Sequence, residues 1–181
     1  MPTLIIRPDA IASSSGFADS GSTLLGKIND NNTSTSSAQN STSASIVCSF
    51  ANDSTYSGAT INNVTFSIIA ALGGRAEEAS VAFVLNSLDN DVQTSSLAIE
   101  GAEPATFSGS ALTSVNSSAK VDGLSVTITP DSGGIVLHEV FVTVDYTASG
   151  YGHKVLAVAA ANISKVNTVA TANIGKINTV D

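Results

Sequence analysis

The sequence predicts an all-β protein: an antiparallel β-sandwich, with a jelly roll as the favoured topology, followed by a tail of 11-residue repeats with little regular structure. Segments that alternate apolar and polar residues with period two predict the strands, and helical patterns are nearly absent between them. Only 12% of the residues are charged while 43% are hydrophobic, which is typical of a folded chain with uncharged strands. We therefore assign residues 1–146 to the sandwich, 147–150 to a joint and 151–181 to the tail.

Eight strands are predicted from the period-two pattern. In chain order they span residues 3–7, 23–28, 45–51, 61–72, 79–85, 95–100, 124–129 and 135–146. Pro8 and Pro130 are expected to end the strands that precede them, because proline cannot donate a ladder hydrogen bond. Residues 29–45, rich in Asn, Ser and Thr, are expected to form a long solvated loop or a ragged edge, and residues 74–79 a single helical turn.

Two strands carry predictions about individual side chains. Residues 45–51 place the single cysteine, Cys48, on the same face as Ile46 and Phe50, so we expect a small buried side chain without a disulfide. The longest strand, 135–146, places His138 on the inner face of the sandwich between apolar neighbours.

The charge is divided unevenly between body and tail. Residues 1–150 hold 4 Lys and Arg against 14 Asp and Glu, a net charge of −10, whereas the tail holds 3 Lys and 1 Asp, a net charge of +2. An acidic body argues against binding nucleic acid. The sequence shows no secretory signal and no run of 18 apolar residues, so we expect neither secretion nor membrane insertion.

No catalytic residue is predicted. His138 is interpreted as a hydrogen-bonded histidine of the strand and His153 as part of the tail, and no Gly-x-Ser-x-Gly motif is present. Glu77 and Glu78 are adjacent, but adjacent side chains diverge, and a solvated acidic turn explains them. The sequence therefore predicts a protein without enzymatic activity.

No cofactor is predicted, and calcium is kept only as a less favoured alternative. Its candidate ligands are oxygen-bearing side chains in two turns: Asp30, Asn32, Asp89 and Asp91. Neither turn has the glycine and distal glutamate of an EF-hand loop, and side-chain hydrogen bonds within Asx-turns are the favoured explanation.

The tail contains a direct repeat. Residues 158–168 and 169–179 are two copies that differ at three positions, and Lys154-Val155 is a fragment of a preceding copy. Asn, Thr and β-branched residues disfavour the supercoiled helix that a period of 11 suggests. We expect short extended or single-turn pieces that insert anchors into a partner surface. The predicted attachment residues are Val155, Val158, Ile163, Lys165, Val166, Val169, Ile174, Lys176, Ile177 and Val180.

These repeats resemble the Ala-x-Ala-Asn-Ile-x-Lys-Val-Asn-Gly-Val units found at the C-termini of many virion proteins of tailed bacteriophages. The resemblance covers the lead Gly152-His153-Lys154-Val155 and both copies. This sequence departs from the pattern at Thr168 and Thr179, where glycine is common, so the glycine of a tight turn is missing at these positions. The resemblance implies a structural component of a phage particle, made in the host cytoplasm and located in the virion.

Two functions of different classes follow. The favoured one is a fibre, decoration, neck or tail-associated protein that contacts other virion proteins through its repeats and forms a homo-oligomer, with a trimer favoured. The alternative is a carbohydrate-binding β-sandwich that recognises a host surface glycan. Against the alternative stand the absence of tryptophan and the small number of tyrosines, three, since sugar-binding surfaces use exposed rings.

Overall fold

Two antiparallel sheets face each other in the computed structural model, so the predicted β-sandwich is confirmed. The structure describes residues 2–39, 43–74, 78–132 and 134–148, and within the tail the pairs 165–166 and 169–170. The strands are β1 (Thr3–Ile6), β2 (Pro8–Ser15), β3 (Ser37–Ala38), β4 (Ser45–Phe50), β5 (Thr60–Leu72), β6 (Ala79–Ser87), β7 (Asn90–Ile99), β8 (Ala105–Ser108), β9 (Leu124–Ser132), β10 (Ile135–Thr147), β11 (Lys165–Val166) and β12 (Val169–Ala170). The helices are α1 (Gly21–Ile28), α2 (Ser118–Asp122) and a 3₁₀ turn, Ser54–Tyr56.

The strand order is that of a jelly roll. Sheet A has the order β1-β10-β5-β8, with β3 also beside β10, and sheet B has the order β2-β4-β9-β6-β7. Four nested antiparallel pairs, β3 with β10, β4 with β9, β5 with β8 and β6 with β7, wrap the chain around one core. Strands β1 and β2 extend the two sheets at their edges.

Alternating side chains from both sheets form the core. Strand β6 alternates strictly between buried and partly exposed residues along its whole length, as the sequence predicts. The rings of Phe66 from sheet A and Phe83 from sheet B lie 4.6 Å apart between centroids, tilted by 39°. Burial of each such side chain contributes roughly 1.5–3 kcal/mol, so these contacts hold the two sheets together.

The prediction of a strand at residues 23–28 is wrong, because this segment forms α1. Leu24 and Ile28, one helical turn apart, are both fully buried, and α1 packs against β2 and β10. The expectation of almost no helix was therefore wrong here and at α2, since a short amphipathic segment takes its structure from the surface it covers. The turn predicted at residues 74–79 lies largely outside the described residues.

The predicted strand end is confirmed at Pro8 and wrong at Pro130. Strand β1 ends at Ile6, and Pro8 begins β2, which was not predicted, where the chain crosses from sheet A to sheet B. Pro130 lies inside β9 opposite Val81, next to a register shift where a missing ladder donor is tolerated. Strand β7 is longer than predicted, and β8 was missed.

A β-bulge corrects the predicted position of His138. The register of β10 against β5 shifts between Leu137 and Glu139. Ile135 and Leu137 therefore share the inner face with Val140, whereas His138 lies on the outer side. His138 is nevertheless buried, because residues 29–36 cover it. Residues 30–34 are themselves exposed and the short strand β3 follows them, as the prediction of a long solvated loop or a ragged edge requires.

The two ends of the sandwich differ in which chain segments they carry. One end, which we call the base, contains residues 51–59, the turn between β6 and β7, and residues 109–123. Thr147, the last residue of β10, pairs with Thr60 at this end, and Pro2 accepts a hydrogen bond from Tyr146. The tail therefore leaves from the base. Farther along, β11 and β12 pair with each other in antiparallel register.

Candidate polar pocket and buried glutamate cluster

A pocket of about 460 Å³ opens at the base and is lined entirely by polar side chains. We call it the polar pocket. Its lining residues are Asn52, Asp53, Ser54, Ser57, Ser118 and Asp122. They come from the segment between β4 and β5 and from α2, which the jelly-roll connections bring to the same end.

Tyr56 joins the two segments of the polar pocket. Its ring is fully buried, its hydroxyl donates to the Asp122 carboxylate, and the same oxygen accepts from the Asp53 backbone N–H at 3.3 Å. Asp53 also caps the 3₁₀ turn, since its carboxylate accepts from the Thr55 backbone N–H at 2.7 Å. The geometry of the pocket therefore depends on a buried tyrosine and a capped turn.

The pocket is acidic, because its lining includes the carboxyl groups of Asp53 and Asp122. Hydrogen bonds from Thr55 hold the pKa of Asp53 below its usual range, so this group is ionised at neutral pH. Burial raises the pKa of the Tyr56 hydroxyl, and the hydrogen bond to Asp122 raises it further. The hydroxyl therefore stays protonated and donates a hydrogen bond. No basic side chain lines the pocket. The arrangement offers carboxylate, amide and hydroxyl oxygens to a ligand that brings a cationic or hydrogen-bond-donating group.

A second group of polar side chains surrounds Glu139, which is buried beneath residues 29–36 on the outer side of β10. We call Arg7, Asp30, Asn31, Asn32 and Glu139 the glutamate cluster. The Glu139 side chain is only 1% exposed. It accepts from the Asn32 backbone N–H at 2.7 Å and from Arg7 Nε at 3.3 Å, while the other end of the Arg7 guanidinium donates to Asn31. These bonds fix residues 29–36 over the bulge.

The two carboxyl groups of the cluster have opposite pKa shifts. Burial raises the pKa of Glu139 above its usual value. The hydrogen bond from the Thr35 hydroxyl, at 2.7 Å, holds the pKa of Asp30 below its usual value. The cluster is satisfied internally, which is typical of a structural network rather than of an open site.

The four candidate calcium ligands are not brought into one site. Asp30 and Asn32 lie beside β10, and each accepts a hydrogen bond from a backbone N–H two residues further along. Asp89 lies in the turn between β6 and β7 with a φ of 63°, and Asp91 follows in β7. Asx-turn bonding of the kind expected is present at Asp30 and Asn32, and no group of three or more His, Cys, Asp or Glu suited to a metal occurs within the described ranges.

The remaining predicted residues have clear positions or lie outside the description. His138 Nδ1 lies 3.1 Å from the Thr35 carbonyl oxygen, and this contact links β10 to the covering segment. Cys48 is fully buried as predicted, and burial raises the pKa of its thiol to about 12. Among the predicted attachment residues, the structure describes only the backbone pairing of Lys165, Val166 and Val169. The others, and His153 and Glu77, lie outside the described residues.

The sequence did not predict the polar pocket. Asn52 and Asp122 are far apart in the chain, and loop residues carry no periodic pattern that would relate them. One local signal was present, since Asp53-Ser-Thr-Tyr56 has the spacing of a capping box, with Tyr56 returning a hydrogen bond to the cap backbone. That signal marks a turn and does not indicate a pocket.

No protein-family model matches the chain, and no curated protein matches it. Among solved structures, the chain is similar to the C-terminal CBM6 of LamC, a marine laminarinase from Zobellia galactanivorans, with a TM-score of 0.49 and 12% identity over 79% of this chain and 98% of that one. Similarity at this level carries no argument about function. None of the helices in the described ranges is long and apolar enough to cross a membrane.

Proposed function

We propose that this protein is a non-enzymatic structural component of a tailed bacteriophage particle, attached through its C-terminal repeats. The observation that carries the proposal is the repeat at residues 158–179, with its regularly spaced Ile and Val anchors and its resemblance to virion tails. A fibre, decoration, neck or tail-associated position suits this protein. In each case the partners are other virion proteins, and the protein is located in the virion.

The architecture supports this division of roles. Within the described part of the chain, the core is supplied by residues between Ile6 and Tyr146. Each repeat offers side chains that contribute roughly 1.5–3 kcal/mol when buried, whereas ordering a free chain costs about 1–2 kcal/mol per residue. One repeat alone binds weakly, and several repeats on one chain bind together.

We propose further that the assembled form is a homo-oligomer, with a trimer favoured. Virion appendages are built with closed symmetry, and anchors on repeated units require neighbouring surfaces. Sedimentation analysis of the assembled form tests this proposal. A monomer that also occurs as single copies on particles contradicts it.

Deletion of residues 151–181 tests the attachment role. We expect the truncated protein to melt within a few degrees of the full chain, because the core is retained, and to be lost from purified particles. Copy number in particles is measured by mass spectrometry, and the melting temperature by circular dichroism. Truncated protein at normal copy number would show that the sandwich itself is the anchor.

A pair of substitutions separates the anchors from the charge of the tail. Ile163→Asp with Ile174→Asp is expected to reproduce the loss of incorporation, because a carboxylate is costly in an apolar pocket. Ser164→Asp with Gly175→Asp is the matched control, since it adds the same charge at neighbouring positions that are not predicted anchors. Equal loss in both variants would contradict anchoring by the isoleucines.

Carbohydrate binding is the less supported candidate. Of the two described tyrosines, Tyr56 is buried and Tyr146 is only 9% exposed, so neither offers an open ring to a sugar. Binding of the purified chain to a glycan array would favour this alternative, and the truncated chain would then bind equally well.

A further inference from the structure

The polar pocket has two carboxylates without a cationic partner in the described part of the chain. Each described basic side chain is engaged elsewhere. Arg7 pairs with Glu139, Lys27 with Asp19, and Lys120 donates to the Ser114 carbonyl and the Asn116 side chain. Of the chain's seven Lys and Arg residues, Arg75 lies outside the described residues, between β5 and β6, and three lysines belong to the tail: Lys154, Lys165 and Lys176. The tail therefore carries three positive charges that can complement the pocket.

An exposed apolar side chain adjoins the polar pocket. Leu88 is 52% exposed and lies in the turn between β6 and β7. Its backbone N–H donates to the Gly123 carbonyl at 3.2 Å, and a Cβ at Gly123 would come within 2.6 Å of the leucine Cδ2. Gly123 directly follows Asp122 of the pocket. Acidic and apolar contacts are thus next to each other at the base.

The tail begins within reach of this surface. Ser57 of the pocket is three residues from Thr60, whose partner Thr147 is the last residue of β10. Lys154 follows Thr147 by seven residues, a segment that spans up to about 23 Å when extended. The sequence at that point is Lys154-Val155-Leu156, an ammonium group followed by two apolar side chains. The carboxylates of the polar pocket complement the ammonium group, and the exposed Leu88 side chain complements the two apolar side chains.

We propose that the polar pocket and Leu88 form the docking site for the first tail segment, residues 154–156, of the same chain. The Lys154 ammonium faces Asp53 and Asp122, and the apolar pair that follows covers Leu88. The same chain is the favoured occupant, because a short connection gives an effective concentration on the order of millimolar, above that of a free second copy. This contact fixes the direction in which the repeats extend from the base.

Lysine reactivity in the isolated full-length protein tests this inference. The protein is treated briefly with an amine-acetylating reagent, and acetylation of each tail lysine is followed by peptide mass spectrometry. We expect Lys154 to react about two- to fivefold more slowly than in the Asp53→Asn/Asp122→Asn variant, as suits an ion pair at a surface. Lys165 and Lys176 serve as internal references and are expected to react equally in both proteins.

The variants are chosen to keep the base intact. Asparagine at position 53 caps a turn as well as aspartate does, and asparagine at position 122 keeps an acceptor for Tyr56. Asp89→Asn is the matched control, because it removes a carboxylate from the same end outside the pocket lining. Its Lys154 should react as slowly as in the unmodified protein.

Three results would overturn the inference. Equal reactivity of Lys154 in the unmodified protein and the pocket variant shows that Lys154 does not occupy the pocket. Protection that disappears on dilution shows that the tail of a second copy is the occupant. Protection that is equally lost in Asp89→Asn shows a general effect of charge. All measurements use protein free of particles, so failure here is distinct from failure of the attachment proposal.

Discussion

Strands β6 and β10 are both central in their sheets, yet they relate to their sequences differently. Along β6, Ala79–Ser87, buried and partly exposed residues alternate without interruption. Along β10, Ile135–Thr147, four successive residues from Leu137 to Val140 are buried. The difference arises because β6 has one covered face, whereas the outer face of β10 is covered at the bulge by residues 29–36.

Period-two alternation in a sequence identifies a strand that has one buried face and one solvent-exposed face. The alternation is lost where a third layer covers the outer face. At the bulge of β10 the covering layer is polar, and it is held by Glu139 rather than by apolar packing. The two strands therefore predict different responses to substitution.

The largest effect is expected at Phe83 on β6. Phe83→Ala removes a ring that is 1% exposed and packed against Phe66, so we expect a loss of about 3–5 kcal/mol in the free energy of unfolding. Phe141→Ala, on the partly exposed outer face of β10, is the matched control and should cost clearly less. Urea denaturation of both variants measures the difference. Equal losses would show that the two faces are equivalent.

A smaller loss is expected when the polar cover of β10 is broken. Glu139→Ala removes the shorter of the two hydrogen bonds made by the Asn32 N–H, leaving the bond to Asp30 at 3.0 Å, and it removes the ionic partner of Arg7, so this should cost about 0.5–1.5 kcal/mol. Urea denaturation measures the loss, and hydrogen exchange should show faster exchange of the Asn32 amide. Glu139→Gln keeps an acceptor of similar size and is expected to cost less. Unchanged exchange at Asn32 in the alanine variant would contradict the role assigned to Glu139.

The pH dependence of stability should distinguish the two carboxyl groups of the cluster. The pKa of Glu139 is raised by burial above 4.5, so its contribution to stability is fully present below that value and is lost as pH rises through the folded-state pKa. The pKa of Asp30 is lowered from 3.8, so its contribution is present above 3.8 and is lost as pH falls through the folded-state pKa. The two neighbouring groups therefore have opposite signs.

Denaturant titrations between about pH 3 and 7 of Glu139→Gln and Asp30→Asn measure these contributions. Relative to the glutamine variant, the unmodified protein should become less stable as pH rises. Relative to the asparagine variant, it should become more stable. The same sign in both comparisons would show that the two groups do not titrate as their surroundings indicate.

The smallest expected effect concerns the reactivity of Cys48, on the inner face of β4 next to β9. Cys48 is fully buried, and burial raises the pKa of its thiol to about 12, so the reactive thiolate is scarce at neutral pH. Labelling of Cys48 with a thiol reagent should be far slower in the native protein than in denaturant. Rapid labelling of the native protein would place Cys48 on an exposed face.

Much of the sandwich was predictable from the chain alone. The alternation of Val81, Phe83 and Leu85 specifies which face of β6 is buried whatever its neighbours are, because side chains on a strand point to opposite faces. The same reasoning placed Cys48 on the inner face of β4. Both placements are confirmed, since they depend only on local geometry and the hydrophobic effect.

The sequence by itself determined the strand-rich class, the inner faces of β4, β5 and β6, and the repeat of the tail. Only the tertiary structure decided that Leu24 and Ile28 belong to a helix, that His138 is covered from outside, and that Asp53 and Asp122 share one pocket. The physical reason is range. The pattern that identifies a strand lies in residues that are neighbours in the sequence. A covering segment or a pocket depends on contacts between residues that are distant in the chain, and these contacts contribute free energy only after the sheets have packed.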